Sequence, residues 1–322
     1  MKVLVSINIP EIGIEMLRKE GLDVTVWSDD LPMNSQQLLE ASKEHDILLS
    51  SSIYSINNEF LENNKHLKLI SQYAVGYNNI DLKTAAELNI PIANTPNAMT
   101  DATADIAFGL MLAVARKFCY MHKQIAAGKW THFRPKANLG KELKGKTVGI
   151  LGMGRIGTEF AKRCAGAYDM KVIYHNRKPN KEAENEVGAK WVSFEELLAQ
   201  SDVLSVHAAL TGETKELFDA KAFKSMKPSS IFINTARGGI HNEEDLIDAL
   251  QNQTLWGAGL DVTNPEPMSP DNPLLQMENV AVLPHIGSAT VEARDEMSRL
   301  AAMNIIQFVR GEPLTNLVTH HP

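Results

Sequence analysis

Short apolar runs alternate with helix-patterned polar stretches over the first hundred residues, the runs falling at 3–7, 24–27, 47–50, 67–71 and 90–93. This alternation predicts a parallel sheet wrapped by helices. Residues 94–100 read as a loop. From Asp101 to about Ala127 the pattern predicts one long, mostly apolar helix, capped by Thr100 or Asp101 and expected to bridge two domains. Residues 128–146 are polar and basic with scattered Trp130, His132 and Phe133, which suits an arm or linker. A second alternation follows, with strands at 148–151, 171–175, 191–193, 203–207, 231–235, 258–262 and 280–283 and helices at 155–167, 194–200 and 243–251. Nearly every one of these strands is uniformly apolar, as expected where both faces of a parallel sheet are covered. The last pattern, 290–309, is one amphipathic helix followed by a tail too short for a third domain, so it is expected to pack back on the first domain. The reading is α/β with parallel sheets: 1–100 and 288–322 form a discontinuous substrate domain, and 101–287 a dinucleotide-binding domain.

Composition narrows the partners. The net charge is −7 with no dense Lys/Arg block, which gives a nucleic acid or an anionic membrane little to hold. No apolar run of about 18 residues predicts a membrane span, and the N-terminus lacks a signal-type apolar stretch. Two cysteines, Cys119 and Cys164, are too few for a disulfide framework; burial by chance and a reducing cytoplasm account for both. No histidine pair has metal-ligand spacing, so no metal is expected. His45, His66 and His122 fall on surface stretches, and His320 and His321 belong to the tail.

Gly152-Met-Gly154-Arg-Ile-Gly157 follows the apolar strand 148–151 directly and opens a helix. In that context Gly152 permits the tight turn, Gly154 lets backbone approach a pyrophosphate, and Gly157 lets helix and strand pack closely. The N–H groups of the first helical turn, from Arg155 and Ile156 onward, are donors for phosphate. Nineteen residues past Gly157, at the end of the next strand, stands Asn176, where an NAD-selective site has a carboxylate for the ribose hydroxyls. Asn176 is neutral, and Arg177 with Lys178 offers cations for a 2′-phosphate. The expected cofactor is NADP(H), with NAD(H) the alternative.

Three polar residues stand just beyond apolar strands: Arg237, Glu266 and His285. Strand C-termini line the ligand crevice of an open α/β sheet. Together the three suit reduction of a 2-oxo acid, with Arg237 as a bidentate fork for its carboxylate and His285 as proton donor to its ketone oxygen, partnered by Glu266.

The segments Tyr73-Ala-Val-Gly-Tyr-Asn-Asn-Ile-Asp81, Leu151-Gly-Met-Gly-Arg-Ile-Gly157, Asn234-Thr-Ala-Arg-Gly238, Gly259-Leu-Asp-Val-Thr-Asn-Pro-Glu-Pro267 and Leu283-Pro-His-Ile-Gly-Ser-Ala-Thr290 occur in this order along nearly the whole chain. In them the sequence resembles the D-isomer-specific 2-hydroxyacid dehydrogenases, among them the glyoxylate/hydroxypyruvate reductases. The resemblance implies two Rossmann-like, flavodoxin-like domains in a homodimer, with Arg237, Glu266 and His285 as the catalytic set and Glu266 orienting His285. It implies that backbone at Val75 and Gly76 holds the substrate carboxylate beside Arg237. Thr103, Thr235, Ala236, Asp261 and Gly287 would line the nicotinamide half, and Trp130 would sit on an arm entering a partner's site. A Glu at 266, rather than the Gln of formate dehydrogenases, favours a ketone substrate. The alternatives are 2-ketogluconate or another D-2-hydroxy acid, or a non-catalytic, dinucleotide-sensing corepressor-like binding protein.

Overall fold

Strands β1 (Lys2–Val5), β2 (Asp23–Val26), β3 (Ile47–Ser50), β4 (Leu69–Gln72) and β5 (Ile92–Ala93) alternate with helices α1 (Glu11–Lys19), α2 (Ser35–Ser42), α3 (Asn58–Asn63) and α4 (Leu82–Glu87). They belong to a computed structural model that describes residues 1–29 and 31–318; His320 and His321 lie outside the described residues. The chain divides into two units, Met1–Met99 with Ala289–Pro322, and Thr100–Ser288.

In the first unit successive strand residues point to opposite faces. Val3, Val5, Ile47, Leu49 and Leu69 pack on Ile14 and Leu17 of α1 and on Met297, Ala301 and Ile305 of α12 (Val291–Val309). Leu4, Leu48 and Ile70 pack on Phe60, Leu61 and Ala85 of α3 and α4. Both faces are covered, which is why β3 and β4 are buried at every position. β2 sits at the edge and alternates between exposed and half-buried residues. The tail adds a feature absent from the sequence reading: β13 (Leu317–Val318) pairs antiparallel with β5, so the sheet, ordered β13-β5-β4-β3-β1-β2, is parallel except at that edge.

The second unit carries α5 (Thr100–Ala115), α6 (Phe118–Ala126), β6 (Thr147–Leu151), α7 (Arg155–Tyr168), β7 (Lys171–His175), α8 (Lys181–Val187), β8 (Lys190–Trp191), α9 (Phe194–Gln200), β9 (Val203–Val206), α10 (Ala220–Ser225), β10 (Ile231–Asn234), α11 (Glu243–Gln251), β11 (Gly257–Leu260) and β12 (Val280–Val282). Its sheet is parallel throughout, in the order β12-β11-β10-β9-β6-β7-β8. One face packs on α5 and α7 through Leu110, Met111, Val114, Phe160 and Cys164. The other packs on Leu197, Phe218, Phe223 and Leu246.

The expected single helix over 101–127 is two helices. Lys117, at φ +56°, breaks the i to i−4 ladder between α5 and α6. Its ammonium, only 8% exposed, is drawn inward to Glu278 at 2.8 Å and lies 5.2 Å from the centre of the Trp256 ring, a cation-on-face contact that helps hold the bend. α6 buries none of its residues, so Cys119 is exposed rather than buried, while Cys164 is buried. No helix among the described residues is long and apolar enough to cross a membrane.

Candidate active site

The strand register of the second unit builds the site. Leu151 of β6 is level with His175 of β7 and Val206 of β9; Val206 is level with Asn234 of β10, Asn234 with Leu260 of β11, and Leu260 with Val282 of β12. One step further along each strand stand Gly152, Asn176, His207, Thr235 and Asp261, with His285 three residues past β12. Six strand ends therefore lie along one rim, five of them followed by a polar residue and the sixth by Gly152. The order changes direction between β6 and β9, where an α/β sheet opens its ligand crevice.

The glycine turn has the geometry of a dinucleotide seat. Gly152 has φ +95°, and a Cβ there would meet Ala208 N at 2.6 Å. A Cβ on Gly157 would lie 2.5 Å from the Gly152 carbonyl, so helix and strand approach as closely as backbone allows. At Gly154, the N-cap of α7, a Cβ would meet nothing within 4 Å, and no side chain caps the helix. The first turn of α7 thus offers the N–H groups of Arg155 and Ile156 to open space, with the helix dipole behind them. Further along the rim, the buried Thr235 hydroxyl has no hydrogen-bond partner. An orphaned hydroxyl and an open, uncapped cradle on one edge fit a bound dinucleotide.

At the far side of the turn Asn176 is half-buried, and its Oδ1 accepts a 2.7 Å hydrogen bond from Met153 N–H. Asn180 donates to Met153 O at 2.8 Å from the other side. Arg177 and Lys178 are exposed.

The three acid, base and cation candidates lie on loops beyond β10, β11 and β12. His285 Nδ1 is 3.0 Å from Glu266 Oε2, and Glu266 Oε1 accepts from Thr263 N–H at 2.9 Å. Burial pushes the Glu266 carboxyl up, but these two hydrogen bonds and the charges of His285 and Arg237 outweigh it, and it lies below its ordinary value. Arg237 lies in a half-buried loop; burial pushes its guanidinium below the ordinary value while Glu266 opposes the shift. It stays cationic at any physiological pH.

Asp261 has a structural task. Its two carboxylate oxygens accept from Ile286 N–H at 2.8 Å and Gly287 N–H at 2.7 Å, clamping the turn that carries His285, itself at φ +55°. Burial raises the Asp261 carboxyl despite those bonds. Thr103 donates to Gly287 O at 2.9 Å and holds the same turn.

The remaining expectations fall elsewhere. Val75 and Gly76 belong to the first unit, in the loop after β4. Trp130 lies off the rim, on the segment after α6, and is 73% exposed. Sequence reasoning passed over Asn234, whose fully buried carboxamide donates to Arg237 O at 2.9 Å and accepts from Ala236 N–H at 3.0 Å. Its Nδ2 also lies 3.0 Å from His241 Nδ1. A polar residue closing the otherwise apolar strand Ile231-Phe-Ile-Asn234 was the available signal.

Residues 108–287 match the family model described as "D-isomer specific 2-hydroxyacid dehydrogenase, NAD binding domain". Over 321 residues the chain is 45% identical to a glyoxylate reductase of Thermococcus litoralis, covering 98% of this chain and 96% of that one. Its structure resembles that of a glyoxylate reductase from Paecilomyes thermophila, with a TM-score of 0.88, 35% identity and coverage of 99% and 98%. It also resembles an acyclic imino acid reductase solved with NADPH and D-Arg, with a TM-score of 0.88, 28% identity and coverage of 99% and 100%. With its two parallel-sheet units and glycine-turn rim, the chain belongs to the D-isomer-specific 2-hydroxyacid dehydrogenases and is an NAD(P)-dependent oxidoreductase.

Proposed function

We propose that the protein reduces glyoxylate, or a close 2-oxo acid such as hydroxypyruvate, to the 2-hydroxy acid, with NADPH preferred over NADH. The observation that carries this reading is the 3.0 Å contact between His285 and Glu266 on the rim that also bears Arg237. The nicotinamide, when bound, supplies the hydride. His285 is bound to Glu266 through Nδ1, so Nε2 is the nitrogen left to pass a proton to the substrate oxygen as it gains charge. Glu266, anchored by Thr263 N–H, keeps the ring oriented and balances the imidazolium. Arg237 holds the carboxylate through a planar fork that a lysine would not reproduce. Val75 and Gly76 add backbone N–H donors to that carboxylate. Thr103, Thr235, Ala236, Asp261 and Gly287 line the nicotinamide half, and Gly152, Gly154, Arg155, Ile156 and Gly157 seat the pyrophosphate.

The cofactor preference rests on Asn176, Arg177 and Lys178. Asn176 Oδ1 is already engaged by Met153 N–H, so what the residue offers a ribose is chiefly N–H, and two exposed cations follow it. That set suits a phosphate better than a pair of hydroxyl donors. The NADPH-bound relative of similar fold agrees with such a use of the scaffold. The proposed assembly is a homodimer in the cytoplasm, with Trp130 reaching the substrate site of a second copy. Two free cysteines suit a reducing compartment.

Purified protein mixed with glyoxylate and NADPH should consume nicotinamide absorbance, and His285→Ala should lose on the order of 100-fold or more in kcat. Absence of turnover with glyoxylate, hydroxypyruvate, 2-ketogluconate and pyruvate alike would reject the enzymatic reading. Arg177→Ala should raise KM for NADPH about tenfold and leave KM for NADH in place, one charged hydrogen bond being worth about 1.5–3 kcal/mol.

A further inference from the structure

The loop after β4 contains three consecutive carbonyls, each held by a different donor. Ala74 O accepts from Thr95 N–H at 3.0 Å, Val75 O from Asn94 Nδ2 at 2.8 Å, and Gly76 O from Gln72 Nε2 at 3.4 Å. The amide orientations are not arbitrary. Asn79 Nδ2 donates to the Tyr54 carbonyl at 2.8 Å, so Asn79 Oδ1 must be the acceptor for Gln72 Nε2, at 2.9 Å. Asn94 is itself fixed, with its N–H on Asn316 O at 3.2 Å and its carbonyl accepting from Asn304 Nδ2 at 2.9 Å. Asn304 Oδ1 in turn accepts from Asn316 Nδ2 at 2.9 Å, tying α12 and the residue before β13 into the same brace.

In a trans peptide the C=O of one residue and the N–H of the next lie in one plane and point in opposite directions. Fixing Ala74 O therefore aims Val75 N–H, and fixing Val75 O aims Gly76 N–H. Neither N–H has an acceptor among the described residues. Both residues are half-exposed, whereas Asn94 is 9% exposed. Water could satisfy a half-exposed carbonyl, so what the buried carboxamide adds is direction. Successive N–H groups aimed outward from one turn form an anion-binding concavity.

We infer that Asn94 is a positioning residue for substrate: with Thr95 N–H it locks two peptide planes so that Val75 and Gly76 present a prebuilt pair of N–H donors to the carboxylate of a 2-oxo acid. Gln72 and Asn79 support the third carbonyl through a longer and weaker bond. The inference rests on the proposed function, in which these two N–H groups bind the substrate carboxylate.

The test compares wild type with Asn94→Leu, which keeps volume and removes the donor, and with Asn94→Ser as a smaller change should the leucine variant fail to fold. Glyoxylate is the substrate, oxamate the unreactive carboxylate probe, and NADPH affinity is read by fluorescence. In Asn94→Leu, KM for glyoxylate and Ki for oxamate should rise together by about tenfold, roughly the value of a lost orienting hydrogen bond, with kcat and NADPH affinity each within about twofold of wild type. Gln72→Met should move the same two constants in the same direction by less. Unchanged KM and Ki would overturn the inference, as would kcat and NADPH affinity falling in step with them, the signature of a merely structural residue. If wild type turns over no 2-oxo acid, the proposed function fails by itself. The cradle is then judged by oxamate calorimetry: binding that weakens in Asn94→Leu supports it, and no binding to wild type overturns it.

Discussion

Asn234 donates through one amide nitrogen to both the Arg237 carbonyl and His241 Nδ1, and its oxygen takes Ala236 N–H. Both its nitrogen and its oxygen are engaged by the loop and its neighbour, so it fixes where Arg237 starts. Asn234→Ala should raise KM for the 2-oxo acid about tenfold through loss of these bonds and, because the same carboxamide holds Ala236 N–H, weaken NADPH binding as well; steady-state kinetics and fluorescence titration check it. Glu266→Gln keeps the shape but removes the charge facing His285, and kcat should fall on the order of 100-fold with the imidazole still in place. At this scale the sequence exposes residue types well. Arg237, Glu266 and His285 stand out because each follows an apolar strand, and Glu266 is of the right type to meet His285, which it does at 3.0 Å. Asn234 and Asn94 do not stand out in that way, because their role lies in which carbonyl a carboxamide meets. Only the folded path of a neighbouring loop decides that.

Among the elements, the strands were legible and the helix after residue 100 was not. Uniform apolar runs too short for a helix read as strands covered on both faces, and α5 with α7 on one side and the Phe218–Phe223 group on the other cover them. The break at Lys117 leaves no trace in periodicity because its cause is remote: Glu278 and Trp256 lie more than a hundred residues away. β13 was hidden for the opposite reason, being a two-residue strand with no pattern of its own. Lys117 predicts its own test. Removing its partner leaves a nearly buried ammonium with only a ring face, so Glu278→Ala should cost about 1–3 kcal/mol, the lower part of the range for a broken buried pair because Glu278 is half-exposed. Urea denaturation of the variant against wild type measures it, and a midpoint equal to wild type would show that the pair does not hold the bend.

For the whole molecule, two histidines shape the response to acid, the fully buried His241 and the half-buried His207. Burial pushes His207 down to about 3 and His241 down to about 4, while both take protons near pH 6.5 in the unfolded chain. Between those limits the unfolded state binds more protons, so stability is complete above about pH 6.5 and falls as pH drops, by about 1.4 kcal/mol per pH unit per histidine. His241 stops contributing near its folded value, and His207 continues lower. Urea midpoints across this range should fall steeply for wild type and less so for His241→Val; parallel curves would reject the assignment. A second prediction concerns assembly. Phe118, Ile125, Trp130, Phe133 and Leu139 are each more than half exposed on one stretch of chain, and exposed apolar side chains that gather in a patch mark interaction surfaces. Sedimentation should give a dimer, and Ile125→Asp with Phe133→Asp a monomer. The two-unit α/β class was legible from alternation alone, whereas the path of residues 127–146 was not, since these residues form no regular element.

The aligned rim of strand ends also acts as a ruler. From β7, where Arg177 and Lys178 follow, to β12, which leads to His285, lie five inter-strand steps, or roughly 24 Å at about 4.8 Å each. That is about three screening lengths at physiological salt. In the proposed function, the charges assigned to cofactor choice and the proton assigned to His285 would therefore act as electrically independent modules. On that reading, Asn176→Asp with Arg177→Ala should shift coenzyme preference toward NADH and leave the pH profile of kcat in place.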